Sequence, residues 1–293
     1  MSFTIFTDTS ANLQNCQVKE RNLKIVPFSY YVDGVEHTCI DTESFDAYEY
    51  YGKIKAGVKV TTSQVTPQRF IDNFEPELKE GRDILFVSMS SGISGSCSSA
   101  RIAANQLRED YPERKIEIVD TLGASLGEGL FALIAADCRD EGMDIEATAE
   151  FLRERVPNMR QIFTVDDLMY LRRGGRLSNL SAIVGTVLHI KPLLKGTEEG
   201  KIVAFAKVRG RKKSIEALAE HYGREVAEPE KQIVGIAHSA CKEDAEMLVE
   251  LLRKTKAPKE ILVVDYEPVT GCHVGPGALA LFFFGAKDVR AKD

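Results

Sequence analysis

The residues best placed for chemistry are small and neutral. In VSMSSGISGSCSSA, residues 87–100, an apolar β run stops, serines and glycines turn the chain, and a helical pattern begins. Such a turn lets backbone N–H groups and a hydroxyl converge on an anion at the positive end of a helix. Gly92-Ile93-Ser94-Gly95-Ser96 resembles a nucleophile elbow, but Ser96 stands where the strained turn wants its last glycine, and no downstream Asp-then-His order marks a triad. A phosphate loop would need a Lys-Ser/Thr pair after its glycines, which is absent. Plain N-capping by Ser94 or Ser91 explains the same residues. Thr61-Thr62-Ser63-Gln64 sets further hydroxyls ahead of a helix start at Thr66-Pro67, and Asp8-Thr9-Ser10-Ala11 follows the first strand, where open α/β sheets bind ligands or an aspartate simply caps. Gly271-Cys272-His273-Val274-Gly275-Pro276-Gly277 runs into ALALFFFG; with Pro276 in the first turn of a helix, His273 would lie just outside its N-terminus and could donate to an anion.

Charged candidates are fewer. Arg172 and Arg173 end a short helix before Gly174-Gly175, where cations suit the dipole. Arg209-Gly210-Arg211-Lys212-Lys213 precedes a helix beginning near Ser214, where cations oppose it, so this run hints at an anionic ligand or acidic partner, or is a solvated charge run. The histidines His37, His189, His221, His238 and His273 show no HxxxH or HxH spacing, which leaves no metal site. The cysteines Cys16, Cys39, Cys97, Cys138, Cys241 and Cys272 have no zinc or redox spacing and read as reduced, structural thiols.

The elements that must position these groups follow from length and pattern. The 293 residues suffice for one large or two ordinary domains, and 44% hydrophobic with 28% charged residues is an ordinary globular composition. A net charge of −6 argues against bulk nucleic-acid or anionic-membrane binding. The longest apolar stretch, Ala278 to Phe284, is far short of the ~20 residues that cross a bilayer. With no basic leader ahead of an apolar run, the expected location is the cytoplasm, with no stable membrane insertion. Up to about Glu154, the β runs FTIFT, DILFVSM and KIEIVD alternate with amphipathic helices, including one with Cys97, Ala100, Ala104 and Leu107 on a single face. This predicts a mainly parallel sheet covered by helices, with a small hairpin at Asp33-Gly34. Beyond Val156 come IFTV, helical stretches around YLRR and SNLSAIVGTVLHI, a hairpin about Glu199-Gly200, two α/β pairs and an apolar C-terminal helix. The fold class is therefore α/β, as two α/β domains, 1–156 and 157–293, the second with a mixed sheet.

Taken together, DTSANL, TTSQ, SSGISGSCSSA, DLMYLRRGGRLS, KPLL, the RGRKK region and HVGPGALALFF, in this order along essentially the whole chain, resemble the DegV family of bacterial fatty-acid-binding proteins. Val65 after TTSQ and the Ser96-Cys97 pair depart from the usual family pattern. The resemblance implies one long-chain fatty acid in a buried tunnel between two domains, no cofactor, and a separate fatty acid kinase as partner that converts the presented carboxylate to an acyl phosphate. It implies Thr62, Ser94 and His273 as head-group residues, with Ser63, Gly95 and Ser96 beside them, and Arg172, Arg173, Arg209 and Arg211 at the kinase-facing or pocket-mouth surface. The competing reading is a serine acyl hydrolase using Ser94 and His273, disfavoured by the missing elbow glycine.

Overall fold

The computed structural model describes residues 3–178, 190–286 and 289–291. The chain divides into two compact units, Met1–Phe45 with Val60–Val156, and Asp46–Lys59 with Pro157–Asp293. In chain order come β1 (Phe3–Asp8), α1 (Asn15–Glu20), β2 (Leu23–Val26), β3 (Ser29–Val32) and β4 (Val35–His37); α2 (Ala47–Lys55), which belongs to the second unit; then β5 (Val60–Ser63), α3 (Pro67–Lys79), β6 (Asp83–Ser88), α4 (Ser96–Asp110), β7 (Ile116–Asp120), α5 (Leu126–Asp140) and α6 (Ile145–Arg155).

In the first unit the strands pair in the order β2-β1-β6-β7, all parallel. Every residue of β1 and β6 is buried, as expected of parallel strands covered on both faces. The hydroxyl of Thr66 accepts the Arg69 N–H, Pro67 opens α3, and Gly81 follows its end at φ +78°. Phe70 and Phe74 of α3 pack on Phe86 and Phe6, with centroids 5.0 and 4.9 Å apart, each pair contributing ~0.5–1.5 kcal/mol beyond its buried area. A small antiparallel sheet, β4-β3-β5, turns at Asp33-Gly34 with both φ positive, a type I′ hairpin.

At the carboxyl end of β1, Asp8 caps the turn Thr9–Ala11 by accepting the Ser10 N–H at 2.8 Å. It also faces Glu128 of α5, and both carboxyls are fully buried. The Ser10 hydroxyl lies 2.5 Å from Asp8 Oδ1 and 2.6 Å from Glu128 Oε2, while Thr7 donates to Glu128 Oε1 at 2.7 Å. One hydroxyl carries one proton, so it can donate to only one of the two acids. The other contact needs a protonated carboxyl. Burial pushes Asp8 up to about 6; burial and then the Asp8 charge push Glu128 well above the usual carboxylate range.

The second unit continues with β8 (Met159–Thr164), α7 (Met169–Arg173), β9 (Ile190–Gly196), β10 (Ile202–Arg209), α8 (Arg211–Glu225), β11 (Ile233–His238), α9 (Lys242–Lys256), β12 (Glu260–Asp265), α10 (Pro268–Val274) and β13 (Leu279–Phe284). Its sheet runs β10-β9-β8-β13-β11-β12, with β11–β12 parallel and the other pairs antiparallel, so it is mixed. The helix expected over SNLSAIVGTVLHI falls mainly on residues 179–189, outside the described residues, as does His189.

Two expectations are corrected. The apolar C-terminal segment is not a helix but β13, a central strand. Leu279, Leu281 and Phe283 face a core with Leu218, Tyr222 and Leu248 of α8 and α9, and the residues between them are also largely buried, so the run has no polar face to reveal its period. Pro276 therefore opens no helix; it lies between Gly275 and Gly277, at φ +78° and +77°. The first domain is also not continuous from 1 to 156. Residues Asp46–Lys59 join the second unit, where the Tyr50 hydroxyl donates to Pro268 O at 2.8 Å and that of Tyr51 to Tyr266 O at 2.6 Å.

The buried acid pair gives a pH prediction. The folded state keeps its Asp8 proton to about pH 6, whereas an unfolded aspartate releases it near ~4, so stability from this source is greatest at low pH and is lost as pH rises through that window. Asp8→Asn keeps the hydrogen-bonding shape and removes that acid. Melting temperatures measured between pH 4 and 6 should fall less steeply in the variant; parallel curves would exclude the retained proton.

Candidate functional site

In the first unit the candidate site is built on the turn between β6 and α4. The Ser90 N–H donates to Gly123 O at 2.7 Å, Ser90 O accepts the Ser94 N–H at 3.1 Å, and Ser90 Oγ accepts the Gly92 N–H at 3.0 Å. The Ser91 N–H donates to Asp120 Oδ1 at 3.2 Å. Glycine at the N-cap, position 95, offers no side chain to the helix end, and the first helical N–H, that of Ser96, goes to Ser94 Oγ at 3.2 Å. Ser94 thus performs a capping role from one residue upstream, and it remains half-buried rather than sealed.

The same turn is tied to the segment carrying the threonines. The Val65 N–H donates to Ser96 Oγ at 3.0 Å, Gln64 Nε2 donates to Ser99 Oγ at 3.2 Å, and a Cβ on Gly95 would stand 1.9 Å from Gln64 Oε1. Thr62 and Ser63 end β5, opposite Tyr30 and Ser29 of β3. Successive strand residues face opposite sides, so Thr62 and Ser63 do not share a face. The structure therefore brings the Thr62-Ser63 strand and the Ser94-Gly95-Ser96 turn together within one unit. Ser96 is wholly buried, behind Ser94.

His273 lies in the second unit, and its expected setting is corrected. It is the penultimate residue of α10, at the negative end of that helix rather than ahead of a positive one. The signal overlooked in the sequence is Glu267-Pro268, a carboxylate N-cap followed by proline at the first helical position. A Cβ on Gly174 would stand 2.5 Å from His273 Nδ1, so the end of α7 packs directly on the imidazole. Burial, with a contribution from the Arg176 cation, pulls the imidazole down to about 4, which leaves it neutral at pH 7. Arg176, like Gln64 and Glu128, was not identified from the sequence.

Among the candidate partner-binding arginines, Arg172 and Arg173 are exposed at the end of α7, with the Arg173 guanidinium 5.6 Å from the Tyr170 ring centroid. Arg209 is exposed at the end of β10. Arg211 is the first residue of α8 and pairs with Asp244 at 2.8 Å and Asp166 at 3.8 Å. Asp244 sits in the first turn of α9, so one carboxylate both suits its own helix and offsets a cation that opposes α8. That ion pair explains part of the charge placement that looked anomalous in the sequence.

The DegV family model, described as "Uncharacterised protein, DegV family", matches residues 2–286. This chain belongs to the DegV family. A DegV domain-containing protein of Clostridium perfringens is 38% identical over 283 residues, covering 97% of each chain. A DegV family protein from Thermus thermophilus, described by its fatty acid binding, superposes with a TM-score of 0.88 at 28% identity, over 97% of this chain and 100% of that one. One from Ruminococcus gnavus, refined with vaccenic acid, gives 0.86 at 26%, over 96% and 99%.

For this DegV protein two measurements test the site as built. Replacing Arg176 by alanine removes a charge that disfavours imidazolium, so the His273 midpoint followed by NMR should rise from about 4; an unchanged midpoint excludes Arg176 as a cause. Gly95→Ala forces the Gln64 amide off the turn and should cost ~1–3 kcal/mol in denaturant unfolding, most of it recovered on adding Gln64→Ala. An additive loss would place the strain elsewhere.

Proposed function

We propose that this chain is a cytoplasmic, non-catalytic carrier that binds one long-chain fatty acid and presents its carboxylate to a fatty acid kinase, which converts it to an acyl phosphate. The observation that carries the reading is the likeness over 97% of the chain to the Thermus thermophilus DegV protein described by its fatty acid binding. The neutral donors of the candidate site suit the same ligand. Thr62, Ser94 and His273 take the head group, with Ser63, Gly95 and Ser96 as their supports. In the transfer, a carboxylate oxygen attacks the terminal phosphoryl of the kinase's nucleotide, and the nucleoside diphosphate leaves.

Magnitudes separate what the chain and the head group contribute. At ~0.8 kcal/mol per methylene, an acyl chain of about 15 methylenes gains ~12 kcal/mol on burial before ordering costs. Each charge-assisted hydrogen bond to the carboxylate adds ~1.5–3 kcal/mol. Affinity therefore comes from the tail and orientation from the hydroxyls. Neutral donors also leave the carboxylate more nucleophilic than a buried ion pair with arginine would. Arg172, Arg173, Arg209 and Arg211 form the surface offered to the kinase.

Denaturing extraction of freshly purified protein followed by mass spectrometry should yield one long-chain fatty acid per chain; protein free of lipid that also fails to take up added oleate removes the proposal's basis. Ser94→Ala should retain most of its lipid, weakened ten- to a hundredfold at most, yet form far less acyl phosphate with purified fatty acid kinase. Arg209→Ala should retain its lipid and regain its rate as kinase concentration is raised. Ester hydrolysis by the wild type, lost in Ser94→Ala, would favour the hydrolase reading instead.

A further inference from the structure

The hydroxyls of Ser94 and Ser96 are 3.1 Å apart, and between them they hold two protons. Ser96 is buried completely, and its Oγ already accepts the Val65 N–H at 3.0 Å. Ser94 is half-buried, and its Oγ already accepts the Ser96 N–H at 3.2 Å. Either proton can join the pair; in the orientation in which the Ser94 hydroxyl donates to Ser96, its proton is turned inward. A carboxylate only accepts hydrogen bonds, so a Ser94 whose proton is turned inward would present it with lone pairs.

We infer that Ser96 is a positioning residue: when a carboxylate arrives, the Ser94 proton turns out to it, and the Ser96 hydroxyl turns to donate to Ser94 in its place. Both protons stay on their own oxygens, and two hydroxyl rotations exchange donor and acceptor. Val65 makes the exchange directional. Its N–H occupies the acceptor side of Ser96 Oγ and leaves the Ser96 proton free to go to Ser94. With that proton donated inward, Ser94 accepts from the Ser96 N–H and the Ser96 O–H together, and its own O–H has the outward direction left to it. Polarisation along such a chain makes Ser94 a better donor than an isolated hydroxyl. Ser96 thereby acts on the ligand without touching it, which matches its complete burial.

The inference rests on the head-group reading of Ser94, and the test separates the two. The protein is loaded with palmitic acid labelled with 13C at the carboxyl carbon, and the bound carboxyl resonance is compared among wild type, Ser94→Ala, Ser96→Ala, the double variant, Ser96→Cys and Ser96→Thr. Ser94→Ala should displace the resonance. Ser96→Ala should displace it in the same direction by at least half as much, while retaining bound palmitate within about twofold of wild type, as expected when the tail supplies most of the affinity. The double variant should match Ser94→Ala, because Ser96 acts only through Ser94. Ser96→Thr, which keeps the hydroxyl, should stay near the wild-type position. Should Ser96→Ala fail to fold, Ser96→Cys keeps the volume with a weaker donor and should show the displacement. If Ser94→Ala moves the resonance but neither Ser96→Ala nor Ser96→Cys does, or if the double variant is additive, the positioning role is overturned and the Ser94 assignment stands. If Ser94→Ala leaves the resonance unmoved, the head-group reading itself fails, and this inference with it.

Discussion

Gly95 has no Cβ, and Oε1 of Gln64 lies 1.9 Å from where one would stand. The candidate site of the first unit depends on that close approach. With Gln64 seated, its amide reaches Ser99, the next residue's N–H reaches Ser96, and the strand carrying Thr62 and Ser63 is fixed beside the turn carrying Ser94. Any side chain at position 95 would have to displace the amide first. The backbone there, at φ −76°, would accept alanine, so an added Cβ meets the end of the Gln64 side chain and no conformational strain.

Each unit meets a burial problem with a specific solution. In the first, two carboxyls sealed together under the end of the parallel sheet cannot both be ionised at bearable cost, and the proton they retain binds β1 to α5 through Ser10. In the second, the mixed sheet needs a strand apolar on both faces between β8 and β11, and β13 supplies it. The turn that feeds β13 is equally confined: added Cβ atoms on Gly275 and Gly277 would stand 2.3 Å from Tyr170 and from Asp166. The same turn ends the short helix bearing His273, so the position of the imidazole is set by how β13 enters the sheet.

Much of this was legible in the residues. The βαβ alternation of the first unit, the Thr66-Pro67 helix start, the Asp33-Gly34 hairpin and the hairpin about Glu199-Gly200 all carry local signals, such as caps, prolines and positive-φ turns, that need no distant partner. What the sequence hid depends on partners far along the chain. A six-residue run buried on both faces has no polar face, so helix and strand look alike until the neighbours β8 and β11 are known. Residues Asp46–Lys59 join the second unit through tyrosine hydroxyls that meet backbone carbonyls more than 200 residues away, a contact with no local signature. The Asp8–Glu128 pair is 120 residues apart in sequence, and Gln64 looked like one more polar residue ahead of a helix.

The electrostatics of the candidate donors bear on which ligand they suit. At pH 7 the Ser and Thr hydroxyls are neutral, and His273, desolvated and beside Arg176, is neutral as well, so an imidazole at the negative end of α10 need not carry a charge that its environment opposes. Donors of this kind bind an anion through oriented dipoles, and their strength comes from exclusion of water rather than from net charge. A small, strongly hydrated anion such as phosphate gains little from neutral donors, because they do not replace its hydration. An amphiphile differs, since burial of its tail covers the cost of stripping its head group and the donors need only fix the direction in which that head group points. On the proposed reading, neutral hydroxyls and a neutral imidazole favour a ligand that supplies its own binding energy.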